Sequence, residues 1–387
     1  MQITKLPTNK RANRANDQLE RLVNSLIRAA DRTKSTVGLS GRKAPYDDHG
    51  YEFMGGANDR LRRQHYDKSL RLLWKAEDQA PYLPFQDATR AERDLMDMAT
   101  RSLTPEEQAA RQALSAPEFK AQLNRDYSTR QKQAIVNILS AIGHGEAYAW
   151  LVSAELLAHV KSTGARAALT MQVLEEAKHF VVLRELIQSF DVPVPRLSIW
   201  EYLLLESTYK AKGLDKFFGM NVVVEGIALS LFGMMSHFPG LEVLRLFHLD
   251  ESRHTALPVN YFKDFPLTKW QRKNPAAKLR RLKIILPALL LIPLLEEDLA
   301  EVGIDAFDFG GSVLRKITHL SVRAGFELTP SPETLLPLLS KLFNGYCKLT
   351  RPGHTHRDFL ASDTSIGEEV LAVEREALGH VETHSAA

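Results

Sequence analysis

The feature that most restricts the fold of this 387-residue chain is a set of glutamates placed inside apolar helical stripes. Four long segments have the apolar spacing of helices and are separated by short breaks that contain Gly or Pro: residues 129–160, 163–190, 197–237 and 241–257. Each segment carries one such Glu, in the order Glu146, Glu176, Glu225 and Glu251. The clearest case is Glu225, which is the only charge in the stretch MNVVVEGIALSLF. A helix bundle with carboxylates in its core is therefore predicted.

Two of the segments also carry a His three residues after the Glu. EEAKH contains Glu176 and His179, and HLDESRH contains Glu251 and His254. Because helical side chains three or four residues apart share a face, these imidazoles should point to the same interior as the glutamates. Four buried carboxylates and two imidazoles would be costly without a cation. The set therefore predicts a site for two metal ions, built from two single Glu residues and two Glu-x-x-His pairs.

Two solvated polar turns are the alternative interpretation, since a single Glu-x-x-His pair is common on helix surfaces. Both pairs lie on apolar faces, however, and the other helices supply Glu146 and Glu225 in the required order. Oxygen-rich ligation with one imidazole per metal suits iron or manganese better than zinc or copper. We therefore predict two iron ions, with a Mn/Fe pair as the alternative, in an all-α fold.

These six residues resemble the ligand set of the ferritin-like diiron-carboxylate superfamily. Its members include acyl-carrier-protein desaturases, multicomponent monooxygenase hydroxylases, ribonucleotide reductase small subunits and arylamine N-oxygenases. The resemblance covers roughly residues 130–257 and implies a ferritin-like four-helix bundle with additional N- and C-terminal helices. It also implies that Glu175 and Asp250, which precede the two motif glutamates, each hydrogen-bond a ligating His of the opposite motif.

The resemblance implies a non-haem diiron oxidoreductase that activates dioxygen. The substrate would be a small organic or lipid-like molecule that is hydroxylated, N-oxygenated or desaturated. Electrons would come from an external donor, a ferredoxin or a reductase. Apolar neighbours of the site favour an apolar or aromatic substrate: Ile142, Val222, Val223, Ile227 and Leu229. A ribonucleotide-reductase-like oxidase and a non-catalytic ferritin-like iron-binding protein are the alternatives.

Three departures from the family patterns bear on this choice. Leu183 stands where ribonucleotide reductase small subunits usually place a radical Tyr, which disfavours a tyrosyl-radical protein. Ala228 and Leu229 stand where hydroxylases and desaturases tend to have a Thr. Arylamine N-oxygenases carry an extra His four residues before the last Glu, where this chain has Phe247. His248 follows directly, and is either a seventh ligand or a bystander.

The flanks are interpreted as helical extensions of the core. Four parts are assigned: an N-terminal extension at 1–128, the diiron core at 129–257, a C-terminal extension at 258–352, and an acidic, flexible tail at 353–387. The N-terminal extension is predicted to hold an amphipathic helix around Leu19–Leu26, a loop at 36–60, and helices at 66–77, 86–101 and 104–115. These flanks would supply pocket walls and the surface of a homodimer.

Composition and charge bear on the partners of the protein and on its cellular compartment. The net charge of +3 does not indicate a nucleic-acid partner, and the single Cys347 suits the cytoplasm. No apolar leader is visible at the N-terminus, and the apolar run 284–295 is too short to span a bilayer, so it is predicted to be a core helix. The basic stretch 269–283 is interpreted as a solvated connection, with contact to an anionic membrane or an acidic protein as the less favoured alternative.

Overall fold

The computed structural model describes residues 5, 6, 8, 10–36, 117–161 and 163–350. All regular secondary structure in these residues is helical, without a strand, which confirms the all-α prediction. Several predicted segments lie outside the described residues: the loop at 36–60 beyond Thr36, the helices at 66–77, 86–101 and 104–115, and the tail at 353–387.

The first described helix, α1 (Lys10–Thr36), confirms the helix predicted around Leu19–Leu26. Its apolar residues are not all buried, because Leu22 and Leu26 are more than half exposed. A side chain on its inner face, Glu20, accepts a hydrogen bond of 3.1 Å from the backbone N–H of Ile199. The contact fastens α1 to the start of a helix of the core.

The first two predicted core segments are single helices. A short helix, α2 (Pro117–Asp126), precedes α3 (Thr129–Leu156) and α4 (Thr163–Ser189). A capping box starts α3, in which the Ser128 hydroxyl and the side chain of the third helical residue satisfy each other's backbone N–H groups. Helices α3 and α4 pack along much of their lengths, and this contact forms one side of the core.

The third predicted segment is broken. It consists of α5 (Ile199–Tyr209), the single turn α6 (Asp215–Phe217), a π-helical stretch (Phe218–Val224) and α7 (Glu225–Met235). The break contains Gly213 at φ 55°, a left-handed conformation in which glycine carries no Cβ penalty. The π-helical stretch ends directly before Glu225. Such stretches shift the register of the following residues and are frequent at functional sites.

The fourth segment, α8 (Leu244–Asp264), continues past its predicted end at 257, and Pro258 lies inside it. Helix α7 packs against α8, α8 packs against α4, and the π-helical stretch packs against α3. These four chain segments therefore surround a common interior, and their apolar residues belong to one buried cluster.

The C-terminal part is helical as well. It comprises α9 (Lys269–Lys273), α10 (Pro275–Leu294), α11 (Glu296–Glu301), α12 (Ala306–Arg323) and α13 (Pro332–Thr350). The apolar run 284–295 lies almost entirely in α10, and the burial of Ile284, Ile285 and Leu291 confirms that it is a core helix.

Most side chains of 269–283 are exposed, as the interpretation of a solvated connection predicts, but the stretch is itself helical. These residues form α9 and the first half of α10. Asn274 caps α10 and Pro275 occupies its first turn, so the chain enters the second helix after a one-residue break. Arg281 is buried because Asp215 and backbone carbonyls, among them that of Gln271, accept its guanidinium hydrogens.

Within the described residues, one helical stretch, Asp215–Met235, is long and apolar enough to cross a membrane. It contains the π-helical stretch and α7. Of its most apolar 18-residue window, 94% is buried inside the protein. That burial is what a core helix requires, and it accounts for the apolar composition of MNVVVEGIALSLF.

Candidate metal centre

The structure brings the six candidate ligands together in the interior formed by α3, α4, α7 and α8. They are Glu146, Glu176, His179, Glu225, Glu251 and His254, and all six are buried. They form two groups of four that share Glu176 and Glu251. Within each group, the nearest ligand atoms all lie within 4.8 Å of one another, which is close enough to surround one metal ion.

The two shared carboxylates each present one oxygen to each imidazole. Glu251 Oε1 lies 3.1 Å from Nδ1 of His179, and its Oε2 lies 3.2 Å from Nδ1 of His254. Glu176 Oε1 lies 3.1 Å from Nδ1 of His254, and its Oε2 lies 3.7 Å from Nδ1 of His179. Each shared carboxylate therefore has one oxygen in each of the two groups.

The other two carboxylates each belong to one group. Glu146 Oε2 lies 3.4 Å from Nδ1 of His179, and Glu225 Oε1 lies 3.9 Å from Nδ1 of His254. The interior therefore has two halves with equal donor sets. We call Glu146 and His179 the His179 half, and Glu225 and His254 the His254 half. Glu176 and Glu251 belong to both halves.

Each imidazole is oriented by a carboxylate of the opposite motif, which accepts a hydrogen bond from the ring nitrogen that faces away from the cluster. Nε2 of His179 donates to Asp250 at 3.1 Å, and Nε2 of His254 donates to Glu175 at 2.8 Å. Arg253 hydrogen-bonds both Glu175 and Asp250 and closes this outer layer. An imidazole whose Nε2–H is held in this way presents the lone pair of Nδ1 to the interior, as a metal ligand must.

Burial and mutual repulsion shift the titration of the unshared carboxylates. Burial raises the pKa of Glu146 well above its usual range. Burial, together with the charges of Glu176 and Glu251, raises the pKa of Glu225 in the same direction. These two side chains favour the protonated form, and additional positive charge beside them would oppose that preference.

The pKa values of the shared carboxylates are lowered, whereas those of the two imidazoles are raised. Burial alone would raise the pKa of Glu176, but the His254 charge and a hydrogen bond from His179 hold it well below its usual range. Burial would lower the pKa of both His side chains, but the surrounding carboxylates raise both well above the usual value. The cluster therefore attracts positive charge, which protons or metal cations can supply in competition.

His248 belongs to neither group of four. It is buried, and its Nδ1 lies 2.9 Å from the backbone carbonyl oxygen of Leu229. The neighbouring Phe247 instead faces the centre, because its ring stacks on that of His179 with centroids 4.2 Å apart. Phe247 is thus an aromatic neighbour of the cluster, and His248 hydrogen-bonds the backbone of α7.

Two amide side chains contact the cluster and were not among the predicted site residues. Gln172, one turn before Glu176, places Nε2 3.4 Å from Glu176 Oε1 and 3.3 Å from Glu225 Oε1. Asn221, in the π-helical stretch, donates to Gln172 Oε1 at 2.9 Å. A signal was present, since both are uncharged polar residues inside apolar stripes. It did not distinguish a partner of the cluster from an ordinary buried amide.

A mainly apolar cavity of about 40 Å³ adjoins the cluster on one side. Glu146 and Glu225 form part of its wall, and so does Glu201, whose Oε1 lies 3.3 Å from Nδ1 of His144. Its apolar lining includes Ile142, Leu204, Met220, Ile227, Leu231 and Phe309. Of the predicted apolar neighbours, Ile142 and Ile227 line this cavity. Val222, Val223 and Leu229 are buried elsewhere in the core.

The fold and the cluster define the class to which this chain belongs: helical proteins with buried Glu and His side chains able to hold metal ions. Comparison of the chain with protein-family models, with curated proteins and with solved structures finds no match. The function is therefore argued from the geometry of the cluster and its cavity.

Proposed function

We propose that this chain is a non-haem diiron oxidoreductase with a ferritin-like four-helix core, which activates dioxygen to oxidise an organic substrate. The observation that carries the proposal is the sharing of Glu176 and Glu251 between two groups of ligands. A site for one metal does not need two such groups. Two carboxylates that each direct one oxygen to either imidazole suit a pair of adjacent cations.

The donor chemistry fits iron. Each group offers three carboxylates and one imidazole, a hard and oxygen-rich set that suits iron or manganese. Zinc sites usually contain more nitrogen or sulfur, and the described groups include no thiolate. Glu146 and His179 would hold one ion, Glu225 and His254 the other, and Glu176 and Glu251 both.

The protein's own part in the reaction is to position, shield and select. When bound, the metal pair would supply the redox chemistry of dioxygen activation. The cavity wall of Ile142, Ile227 and Leu231 would exclude water and favour an apolar group of a substrate next to Glu146 and Glu225. Its position beside the unshared carboxylates favours an oxygenase or desaturase over an iron store, which needs no such cavity. The electrons would come from an external ferredoxin or reductase.

The first experiment measures metal content and its response to dioxygen. We expect the protein from iron-replete cells, or loaded with Fe(II) without oxygen, to bind two irons per chain. The reduced protein should develop a new absorption band on exposure to oxygen. Substrate screening with product mass spectrometry would then identify the reaction. Glu297→Ala, a change of an exposed Glu on α11, is the control. A folded wild-type protein that takes up neither Fe(II) nor Mn(II) would contradict the proposal.

A further inference from the structure

Gln172 is a neutral side chain that contacts two carboxylates of the cluster at once. It is buried on α4, one turn before Glu176. Besides its contacts to Glu176 and Glu225, its Nε2 donates to the hydroxyl oxygen of Ser153 at 3.0 Å. Its amide therefore lies across the interior between α3, α4 and the start of α7.

The orientation of this amide is fixed by a chain of hydrogen bonds that begins at the backbone. The carbonyl oxygen of His254 can only accept, so the Asn221 side chain that contacts it at 2.9 Å must present its NH₂ group. The same NH₂ group lies 2.9 Å from the side chain of Gln172 and must meet its oxygen. The NH₂ group of Gln172 is consequently directed at the carboxylates.

The π-helical stretch brings Asn221 to this place. Asn221 lies within Phe218–Val224 and four residues before Glu225, as Gln172 lies four residues before Glu176. The two amides thus stand side by side, one turn away from the two carboxylates that Gln172 contacts. The altered register of the π-helical stretch therefore positions Glu225, a candidate ligand, and Asn221, which orients Gln172 beside it.

The His179 half has no equivalent. Among the described residues, Glu146 lies beside His179, Glu176 and Glu251 of its own group and receives no hydrogen bond from an amide. The two halves therefore have equal ligand sets but unequal support. A carboxylate with a fixed donor beside it has fewer orientations than one without.

We propose that Gln172 is a positioning residue, oriented by Asn221, that fixes the Glu225 carboxylate as the terminal ligand of the His254 half. This inference rests on the proposed function, because it assigns a role toward the metal pair. It predicts that the two metal positions respond differently to loss of the amide. The position at Glu225 and His254 depends on Gln172, because Gln172 contacts Glu225 and, of the shared Glu176, the oxygen Oε1 that faces His254. The position at Glu146 and His179 should depend on it much less.

The test is metal titration of the Gln172→Met variant, which removes the amide while keeping a side chain of similar length. We expect the affinity for one of two Mn(II) or Co(II) equivalents to fall by about 10- to 100-fold, the usual effect of losing an outer hydrogen bond to a ligand. The other equivalent should change by less than about threefold. The absorption spectrum of the cobalt-loaded protein should change with it. Gln188→Met, a half-buried Gln on the same helix, is the matched control.

Asn221→Ala provides the second arm. If Asn221 acts through Gln172, Asn221→Ala should weaken the same metal position as Gln172→Met. The double variant should then bind metal at that position no more weakly than the single variant with the lower affinity. This arm also tests the idea should Gln172→Met fail to fold. Two metals bound by the folded Gln172→Met variant with wild-type affinities and spectrum would overturn the inference alone. A wild-type protein that binds no metal would overturn the proposed function and the inference with it.

Discussion

The His179 half and the His254 half contain the same ligand types but lie in different surroundings. The imidazole of His179 is stacked on Phe247 and meets the edge of Phe232 at a centroid distance of 6.4 Å. The His254 half is bordered instead by the amides of Gln172 and Asn221. Each imidazole is hydrogen-bonded to an outer carboxylate, but beyond that bond one half has aromatic neighbours and the other has hydrogen-bonding amides.

The difference shows that the ligands and their support arise in different ways. The ligands follow from a repeated helical spacing, Glu-x-x-His, which places both side chains of each motif on one face. The support comes from residues that other helices and the π-helical stretch bring to the site, and it need not repeat. Hydrogen bonds restrict direction more than aromatic packing does, so the His254 half should be the more rigid of the two.

The largest effect should come from removing a shared carboxylate. Glu251→Ala takes one ligand atom from each half, and we expect both metal affinities to fall by more than about 100-fold, beyond the loss typical of an outer contact. Glu146→Ala or Glu225→Ala removes a ligand from one half only and should leave one metal bound. Metal titration followed by elemental analysis measures all three variants. Equal losses in Glu146→Ala and Glu251→Ala would contradict the division into shared and unshared carboxylates.

The next largest effect tests the crossed outer layer. Asp250→Asn should weaken the metal position at His179 by about 10- to 100-fold, and Glu175→Gln should do the same at His254. Each outer carboxylate belongs to the motif of the opposite imidazole. An effect that followed sequence proximity, with Asp250→Asn weakening the His254 half instead, would contradict the crossed arrangement.

Acidity should change metal affinity in a direction that follows from the pKa shifts. The carboxylates raise the pKa of His179 and His254, and burial raises that of Glu146 and Glu225, so these groups carry protons that a metal ion must displace. Affinity should therefore rise with pH until the raised His pKa values are passed. Metal titrations at several pH values, with the released protons measured in weak buffer, check this. Affinity that is constant between about pH 6 and 8, near and above the reference pKa of His, would contradict it.

The same shifts affect the metal-free protein. A His whose pKa is raised on folding stabilises the fold at pH values below its unfolded pKa, and this contribution is lost as the pH rises through the folded pKa. A Glu whose pKa is lowered, such as Glu176, contributes above its unfolded pKa and loses this contribution as the pH falls. The Tm of the metal-free protein should therefore decrease on the alkaline side, and metal should remove that decrease.

The sequence was sufficient for the all-α class and for the grouping of the six polar residues. Glu225 could be assigned to the interior because no solvated face can be drawn on MNVVVEGIALSLF. A helical register then brought the remaining candidates to the same place, since spacing of three or four residues directs side chains to one face. The all-α class and the grouping of these side chains needed no more than that.

The rest depends on contacts between distant segments. The π-helical stretch changes the helical register, and no residue in Phe218–Val224 indicates this change in the sequence. The changed register decides where Asn221 lies. The sequence places Arg281 in a solvated basic stretch, because nothing nearby indicates its partner Asp215, which is 66 positions away. His248 could not be assigned from spacing alone, because it lies between two faces of its helix and packing decides which way its side chain points. In the structure its imidazole contacts the backbone carbonyl of Leu229.

The smallest effect should come from the aromatic support of the His179 half. Phe247→Leu removes the ring stacked on His179 but keeps an apolar side chain, so we expect a loss of about 1–2 kcal/mol of stability from packing. Because stacking limits the imidazole less strictly than a hydrogen bond does, the metal affinity of the His179 half should fall by less than about tenfold, the lower bound for an outer hydrogen-bond partner. Denaturant unfolding of the metal-free protein and cobalt titration measure the two quantities.

Phe262→Leu is the matched control, because Phe262 is also a buried aromatic residue of α8 and packs against Phe217 and Phe326 rather than His179. Both variants should lose similar stability, but only Phe247→Leu should change the cobalt spectrum. If Phe247→Leu instead weakened metal binding as strongly as Asp250→Asn, packing would position His179 as firmly as its hydrogen bond does. The two halves would then be equally rigid, and the distinction between aromatic and hydrogen-bonded support would lose its consequence for the metal site.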